Sequence, residues 1–253
     1  MAGEAAGVNA RRKLRRIEVQ IKQEALRLLR LGYSGRELER RLARFVRSLN
    51  IAAELAGRYD SEVKAVQNRA VADAERQYAW VRERTVEPEK LAASAELVKQ
   101  AHAGFATVAG QVERGVASAV TKAVAGGATR KQVEELLSAQ FRKEARHAYT
   151  IANTGIAAID RTAALALGFE AGVFHKRYSG AAPERPKCKA WHGRVFTLTQ
   201  INNLDNGQGL SAMIYCGGYN CVHWWEDVLT GKEPATKRQL DAALNALHRA
   251  VIK

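Results

Sequence analysis

The sequence predicts a mainly α-helical protein, in which a long helical N-terminal region is followed by a small α+β module. Three observations support this fold class. The four prolines stand at 88, 183, 186 and 234, so residues 1–87 and 89–182 contain no proline and are free to form helices. Apolar residues recur every three or four positions within those stretches. After Gly168 the composition changes to aromatic and β-branched segments separated by Gly- and Pro-rich loops.

The first two helices are predicted from amphipathic stripes and a start signal. An apolar stripe runs from Leu14 to Leu28 beside Arg and Lys residues, and Gly32 should end this helix. Ser34 and Glu37 have the spacing of a capping box, in which each side chain bonds the other residue's backbone amide. A second helix should therefore begin at Ser34.

Four further helices are expected before Gly168. One should cover about residues 61–84, and an Ala-rich one should cover about 89–124 until Gly126 and Gly127 interrupt it. Thr129 and Gln132 form a second capping box that predicts the next helix. Residues 145–167 are predicted to form a separate Ala-rich helix.

Three strands and two capped helices are expected in the α+β module. The strand candidates are residues 173–178, 194–197 and 212–215. Thr197 with Gln200, and Thr236 with Gln239, have the spacing of capping boxes for a short helix and for the terminal helix. We therefore divide the chain into a helical basic region (1–145), the α+β module (146–230) and a C-terminal helix (231–253).

Positive charge is concentrated at the N-terminus of this strongly basic chain. The formal net charge is +14, and residues 1–50 hold 13 basic and 5 acidic residues. Such a segment is expected to bind a polyanion or an acidic protein surface, although a solvated helix face has the same composition. The candidate binding residues, here called the basic arm, are Arg11, Arg12, Lys13, Arg15 and Arg16.

A second set of basic residues lies in the α+β module. It is a candidate surface for DNA, or ordinary solvated loop charge. Its members are Lys176, Arg177, Arg185, Lys187, Lys189 and Arg194.

Cysteine and histidine residues cluster within 36 positions of the last third. Cys188 and His192 could share a turn, and Cys221 and His223 would lie on the same side of an extended segment, because strand side chains alternate. Thiolate and imidazole ligands suit zinc, which stabilises small loop-rich folds. The predicted zinc ligands are Cys188, His192, Cys221 and His223, with Cys216 a spare thiol or an alternative ligand. Buried structural cysteines and ordinary histidines would give the same cluster.

An ordered series of short segments resembles a known family. These segments are residues 188–197, 200–201, 204–209 and 217–224, preceded by residues 151–154 and Arg161 on an Ala-rich helix. Together they are similar to the C-terminal module of the Mu F-like minor head (head morphogenesis) proteins of tailed bacteriophages. The resemblance covers about residues 146–228. The sequence departs from the family pattern at Val222, where Arg is more frequent, and at residues 225–227, where a proline often follows.

The resemblance implies a non-enzymatic virion component that helps head assembly. It implies association with the portal protein and with capsid or scaffold proteins inside the capsid, and in some members ejection with the DNA. Metal binding at Cys188, Cys221 and His223 is part of the same implication. Beside such partners the basic arm would bind DNA without sequence preference, or an acidic portal surface. We expect localisation in the virion, and in the host cytoplasm during assembly, with no membrane contact in the head and with a ring of copies around the portal.

Two alternatives come from other functional classes. A metal-dependent nuclease or toxin could use His192, Asn206, Asn220 or His223, but few carboxylates lie near these residues in sequence. A DNA-binding regulator could use the short capped helices at Ser34 and Thr129, although the predicted helices are long for a helix-turn-helix. The sequence contains no Gly-rich phosphate loop of the packaging-motor type.

Overall fold

The computed structural model describes residues 2–252 and confirms the predicted fold class. Long helices occupy most of the chain as far as residue 170. They are α1 (Ala2–Arg30), α2 (Gly35–Ser48), α3 (Ile51–Gln77), α4 (Ala92–Ala125) and α5 (Arg130–Glu170). A single 3-10 turn, Pro88–Lys90, precedes α4.

A three-stranded antiparallel sheet follows, with the strand order β2-β1-β3. Its strands are β1 (His175–Ser179), β2 (Val195–Thr197) and β3 (Trp224–Asp227), and the helices around it are α6 (Pro186–Trp191), α7 (Leu198–Asn202), α8 (Ala212–Tyr215) and α9 (Lys237–Ile252). In the central strand β1, Lys176 lies opposite Phe196 of β2 and opposite Asp227 of β3. The side chains of Lys176 and Tyr178 share the buried face of the sheet.

The chain forms two compact units, each with its own core. One unit contains Glu4–Tyr59 and Ala101–Ala152, and its core is made by apolar residues of the helices, including Leu14, Leu38 and Phe105. The other unit contains Asp60–Gln100 and the chain from Asn153 onward, together with the first residues of the sequence. Its core includes Ile156, Phe169 and Tyr178.

The helical predictions were correct in kind and wrong at several boundaries. The Ser34 side chain makes no capping hydrogen bond within the described chain, and the Glu37 carboxylate pairs with Arg40 and Arg41. The third helix begins at Ile51, ten residues before the predicted start, just after Asn50 turns the backbone with a φ of 44°. The capping boxes at Thr129, Thr197 and Thr236 are confirmed.

Two further expectations are corrected around the sheet. The helices expected from Thr129 and from residue 145 are one continuous helix, α5, so the predicted boundary at 145/146 lies inside it. Residues 212–215 form the short helix α8 instead of a strand, and the third strand is β3. Ala212, Met213 and Ile214 are all buried, and an apolar run of this length does not distinguish a buried strand from a buried helical turn.

Candidate metal centre

Three predicted ligands come together beside the central strand of the sheet. Pro186 occupies the first turn of α6, where its fixed φ is compatible with a helix start, and Cys188 follows with 1% of its surface exposed. Cys221 and His223 precede β3, and Val222 between them is 40% exposed. The alternation predicted from the sequence therefore directs both flanking side chains inward.

The ligand atoms of Cys188, Cys221 and His223 all lie within 4.8 Å of one another, and all three residues are buried. The Cys221 Sγ is 3.4 Å from the Nδ1 of His223. This group could hold a metal ion, because two thiolates and an imidazole are a soft donor set.

The other two candidate ligands lie outside this group. His192 is exposed, and its Nε2 is 3.2 Å from the carbonyl oxygen of Gly180. Its ring centroid is nevertheless only 6.0 Å from that of His223. Cys216 is completely buried, and its burial, reinforced by the nearby Cys221 and Cys188, raises the pKa of its thiol to about 12. Among the described residues, Cys216 is not part of the group of ligand atoms that lie within 4.8 Å of one another.

The surroundings of His223 prepare its Nδ1 to bind a metal. Its Nε2 is 3.0 Å from the carbonyl oxygen of Ala181, which can only accept a hydrogen bond. Nε2 therefore carries the proton of the neutral ring, and the lone pair of Nδ1 faces Cys221. Burial, with a contribution from the charges of His192 and Arg161, lowers the pKa of His223 and keeps the ring neutral.

The two thiols have different electrostatic environments. Burial raises the pKa of Cys188. Burial also opposes the thiolate of Cys221, but hydrogen bonds from the Tyr178 hydroxyl and from the Gly217 amide, together with the charge of Arg161, outweigh it and lower its pKa. Cys221 is thus the thiol more easily deprotonated.

Tyr178 of β1 connects the donor set to the sheet. Its hydroxyl lies 3.3 Å from the Sγ of Cys188 and 3.4 Å from the Sγ of Cys221. Its ring stacks on His223 with a centroid distance of 5.0 Å, and meets Trp191 and Trp225 edge to face. These contacts restrict the orientation of the His223 ring and keep water away from the thiols.

Arg161 of α5 holds the backbone around two of the ligands. Its guanidinium donates to the carbonyl oxygens of His223 at 3.0 Å, of Cys221 at 2.5 Å and of Ile214 at 3.2 Å. Only 8% of Arg161 is exposed, so the three carbonyls replace the water that the charge would otherwise need. A buried residue on a helix thereby fixes the loop that carries Cys221 and His223.

Two glycines allow the backbone to approach the donor atoms. A Cβ at Gly217 would overlap the Sγ of Cys188 and lie 3.2 Å from the Sγ of Cys221. Gly180, at a φ of 140°, has the ring and Cα of His223 against the position of a Cβ. The space for the donor set thus depends on glycine, which has no side chain, at positions 217 and 180.

The basic residues predicted as binding sites are distributed unevenly. In the basic arm, Arg12, Arg15 and Arg16 are exposed, whereas Lys13 pairs with Glu54 and Arg11 lies over the ring of Tyr149. In the second set, Lys176 is completely buried and paired with Asp227, so it cannot be part of a DNA-facing surface. Lys176 and Tyr178 are two residues apart in β1, so their side chains lie on the same, buried face of the sheet.

Sequence reasoning missed the roles of Tyr178, Gly217 and, apart from its place in the family resemblance, Arg161. Tyr178 could have been found by extending the alternation of the predicted strand, which places it on the buried face. No local pattern indicated that Arg161 would reach the carbonyls of residues 53 to 62 positions later.

No family model matches this sequence, and comparisons with curated proteins and with solved structures give no significant match. None of the helices in the described part of the chain is long and apolar enough to cross a membrane.

Proposed function

We propose that this chain is a non-enzymatic minor head protein of a tailed bacteriophage, whose C-terminal module is stabilised by a zinc ion. The observation that carries the proposal is the convergence of the segments on which the family resemblance rests. Cys188 belongs to one of these segments and Cys221 and His223 belong to another, and the three residues form one donor group. Arg161, from the preceding helix, donates to the carbonyls of Cys221 and His223.

Contacts between the other segments support the same proposal. Asn153 donates from its amide to the Oδ1 of Asn220 at 2.9 Å, and the amide of Asn220 donates to the Thr154 hydroxyl at 3.2 Å. The Tyr219 amide donates to the Oε1 of Gln208 at 2.8 Å. Residues from separate parts of the resemblance thus contact one another within one compact unit.

Zinc is the metal that we propose for the donor group. Two thiolates and one imidazole match its preferred ligands, and zinc adds no redox chemistry to a purely structural role. Zinc takes four ligands in structural sites, and His192 is the proposed fourth because its ring is 6.0 Å from that of His223. The metal would join α6 to the segment before β3.

The proposed partners are the portal protein, capsid or scaffold proteins, and DNA bound without sequence preference. The exposed guanidinium groups of Arg12, Arg15 and Arg16 support an interaction with phosphates or with an acidic portal surface. The protein would lie inside the capsid as one of several copies around the portal. Ejection into the host together with the DNA is part of the same proposal.

Mass spectrometry of purified particles tests the proposal. Procapsids and mature heads would be purified from the phage that encodes this chain. The amount of the chain in each particle would be compared with its amount in the lysate by quantitative peptide counting. We expect a few copies for each portal complex in the procapsid. Loss between procapsid and mature head would identify an assembly factor, and loss after DNA release an ejected protein. Absence from every particle would contradict the proposal and favour the nuclease or the DNA-binding regulator.

A further inference from the structure

A cleft away from the donor group contains a buried carboxylate with one uncommitted oxygen. The cleft has a volume of about 570 Å³, and its walls come from the loop after α3, the end of α5 and the start of α9. Glu170, the last residue of α5, lines the cleft, and only 6% of its surface is exposed.

The two oxygens of Glu170 have different surroundings. Its Oε1 accepts three hydrogen bonds, from the Thr85 amide, from the Thr85 hydroxyl at 2.7 Å and from the Val86 amide at 3.0 Å. Its Oε2 has no hydrogen-bonding partner among residues 2–252. Since Glu170 lines the cleft and Oε1 is fully occupied by the loop, Oε2 is the atom available to a ligand.

The cleft is built to keep this carboxylate in place. The Ala235 amide donates to the backbone carbonyl of Glu170 at 3.0 Å, which attaches the segment before α9 to the end of α5. Gly172 turns the chain at a φ of 79°, and a Cβ there would overlap the carbonyl oxygen of Glu233. These contacts hold the backbone at and just after Glu170 against the segment before α9.

Charge and polarity define what the cleft can bind. Its two lysines pair with other carboxylates, Lys90 with Glu87 at 2.7 Å and Lys237 with Asp241 at 2.6 Å, and no cation of the described residues pairs with Glu170. The walls include the apolar side chains of Val86, Leu91, Leu240 and Leu244. An acidic centre with apolar walls is complementary to a cation on an aliphatic stem.

We propose that this cleft binds a basic side chain, arginine or lysine, presented by a partner protein. The cationic group donates a hydrogen bond to Oε2 of Glu170, and the methylene stem lies along the apolar walls. A charge-assisted hydrogen bond in a half-enclosed site is stronger than one on an open surface. This inference does not depend on the proposed metal or on the head-protein function.

Calorimetric titration of the full-length protein tests the inference. The probes are the peptide acetyl-Leu-Arg-Leu-amide, the same peptide with neutral citrulline replacing arginine, and the free cation agmatine. The test variant is Glu170→Gln, which retains an oxygen for the Thr85 and Val86 donors but places an NH₂ group towards the cleft. The control is Glu39→Gln, which removes the same charge from the exposed surface of α2.

We expect the arginine peptide to bind the wild-type protein and the Glu39→Gln variant equally, and the Glu170→Gln variant at least tenfold more weakly. The citrulline peptide should bind at least tenfold more weakly to the wild-type protein, a comparison that holds even if Glu170→Gln impairs folding. Equal binding of both peptides, equal binding by both variants, or no binding of the arginine peptide would overturn the inference. If agmatine bound as tightly as the peptide, the proposed protein partner would be wrong and the ligand would be a small cation.

Discussion

Lys176 and Asp227 face each other across β1 and β3, and their side chains form an ion pair that is almost completely excluded from solvent. The side chain of Lys176 is 1% exposed and that of Asp227 is 8% exposed. A Cβ at Gly168 would lie 2.5 Å from the Lys176 Nζ and 2.6 Å from an oxygen of Asp227, so a side chain there would displace the charged ends of the pair. Burial lowers the pKa of Lys176 and raises that of Asp227, and each charge therefore depends on the other.

The first prediction concerns this ion pair. Asp227→Asn should reduce the free energy of unfolding by about 3–5 kcal/mol, because it leaves the Lys176 ammonium buried without a counter-charge. The double variant Lys176→Met/Asp227→Leu should recover most of that loss, since both desolvated charges are removed together. Urea unfolding would measure both values. If the double variant were as unstable as Asp227→Asn, the loss would reflect packing instead of charge.

The second prediction concerns the donor group and metal. Removing zinc with a chelator should lower the melting temperature of the wild-type protein, and Cys188→Ser or Cys221→Ser should lower it and abolish the chelator effect. A ligand that binds only the folded state adds about 4 kcal/mol when it is present at a thousand times its Kd. Calorimetric melting with metal analysis checks this. Equal melting of metal-loaded and fully metal-free wild-type protein would contradict a stabilising metal.

Gly217 provides the third prediction. Gly217→Ala should weaken zinc binding by at least about tenfold, because the added Cβ would overlap the Cys188 Sγ and displace it from the donor group. The matched control is Gly231→Ala, since a Cβ at Gly231 meets no described atom within 4 Å. A competition titration against a chromogenic chelator would compare the two. Unchanged affinity in Gly217→Ala would place the metal elsewhere.

The fourth prediction concerns the basic arm. Replacing Arg12, Arg15 and Arg16 with Gln should weaken DNA binding and make the salt slope shallower by up to about 3, because each lost phosphate contact removes about 0.9 from the slope. The control replaces Arg142, Lys143 and Arg146, three exposed cations of α5, and so removes the same total charge. Fluorescence anisotropy at several salt concentrations gives the slopes. An unchanged slope in the arm variant would reject DNA as its ligand and favour a protein surface.

The sequence was a good guide where structure depends on local pattern. The apolar stripe from Leu14 to Leu28 predicted α1, and the side-chain-to-amide hydrogen bonds at Thr129, Thr197 and Thr236 formed as their spacing indicated. At Ser34 the capping box did not form, and the Glu37 carboxylate pairs with Arg40 and Arg41, one turn later, instead of with the Ser34 amide. Competition between local partners is not visible in a spacing rule.

The sequence predicted the donor residues of the candidate site, but it did not predict the residues that hold those donors in place. Cys188, Cys221 and His223 could be chosen from chemistry and from strand alternation. The distances to Arg161, Tyr178 and Gly217 depend on how α5, β1 and the loop before β3 pack, which is long-range information. Lys176 shows the same limit, because its burial depends on a counter-charge 51 residues later.

Arg161 also determines how freely the surrounding loop can change during evolution. Its three acceptors are carbonyl oxygens of residues 214, 221 and 223, and every amino acid supplies a carbonyl. Substitutions at positions such as Val222, whose side chain points to solvent, therefore leave this attachment intact. Arg161 itself has no equivalent substitute, because only a guanidinium has enough donors in a rigid plane to hold three carbonyls at once. Homologous loops could thus diverge widely in sequence while the arginine on the helix stays invariant.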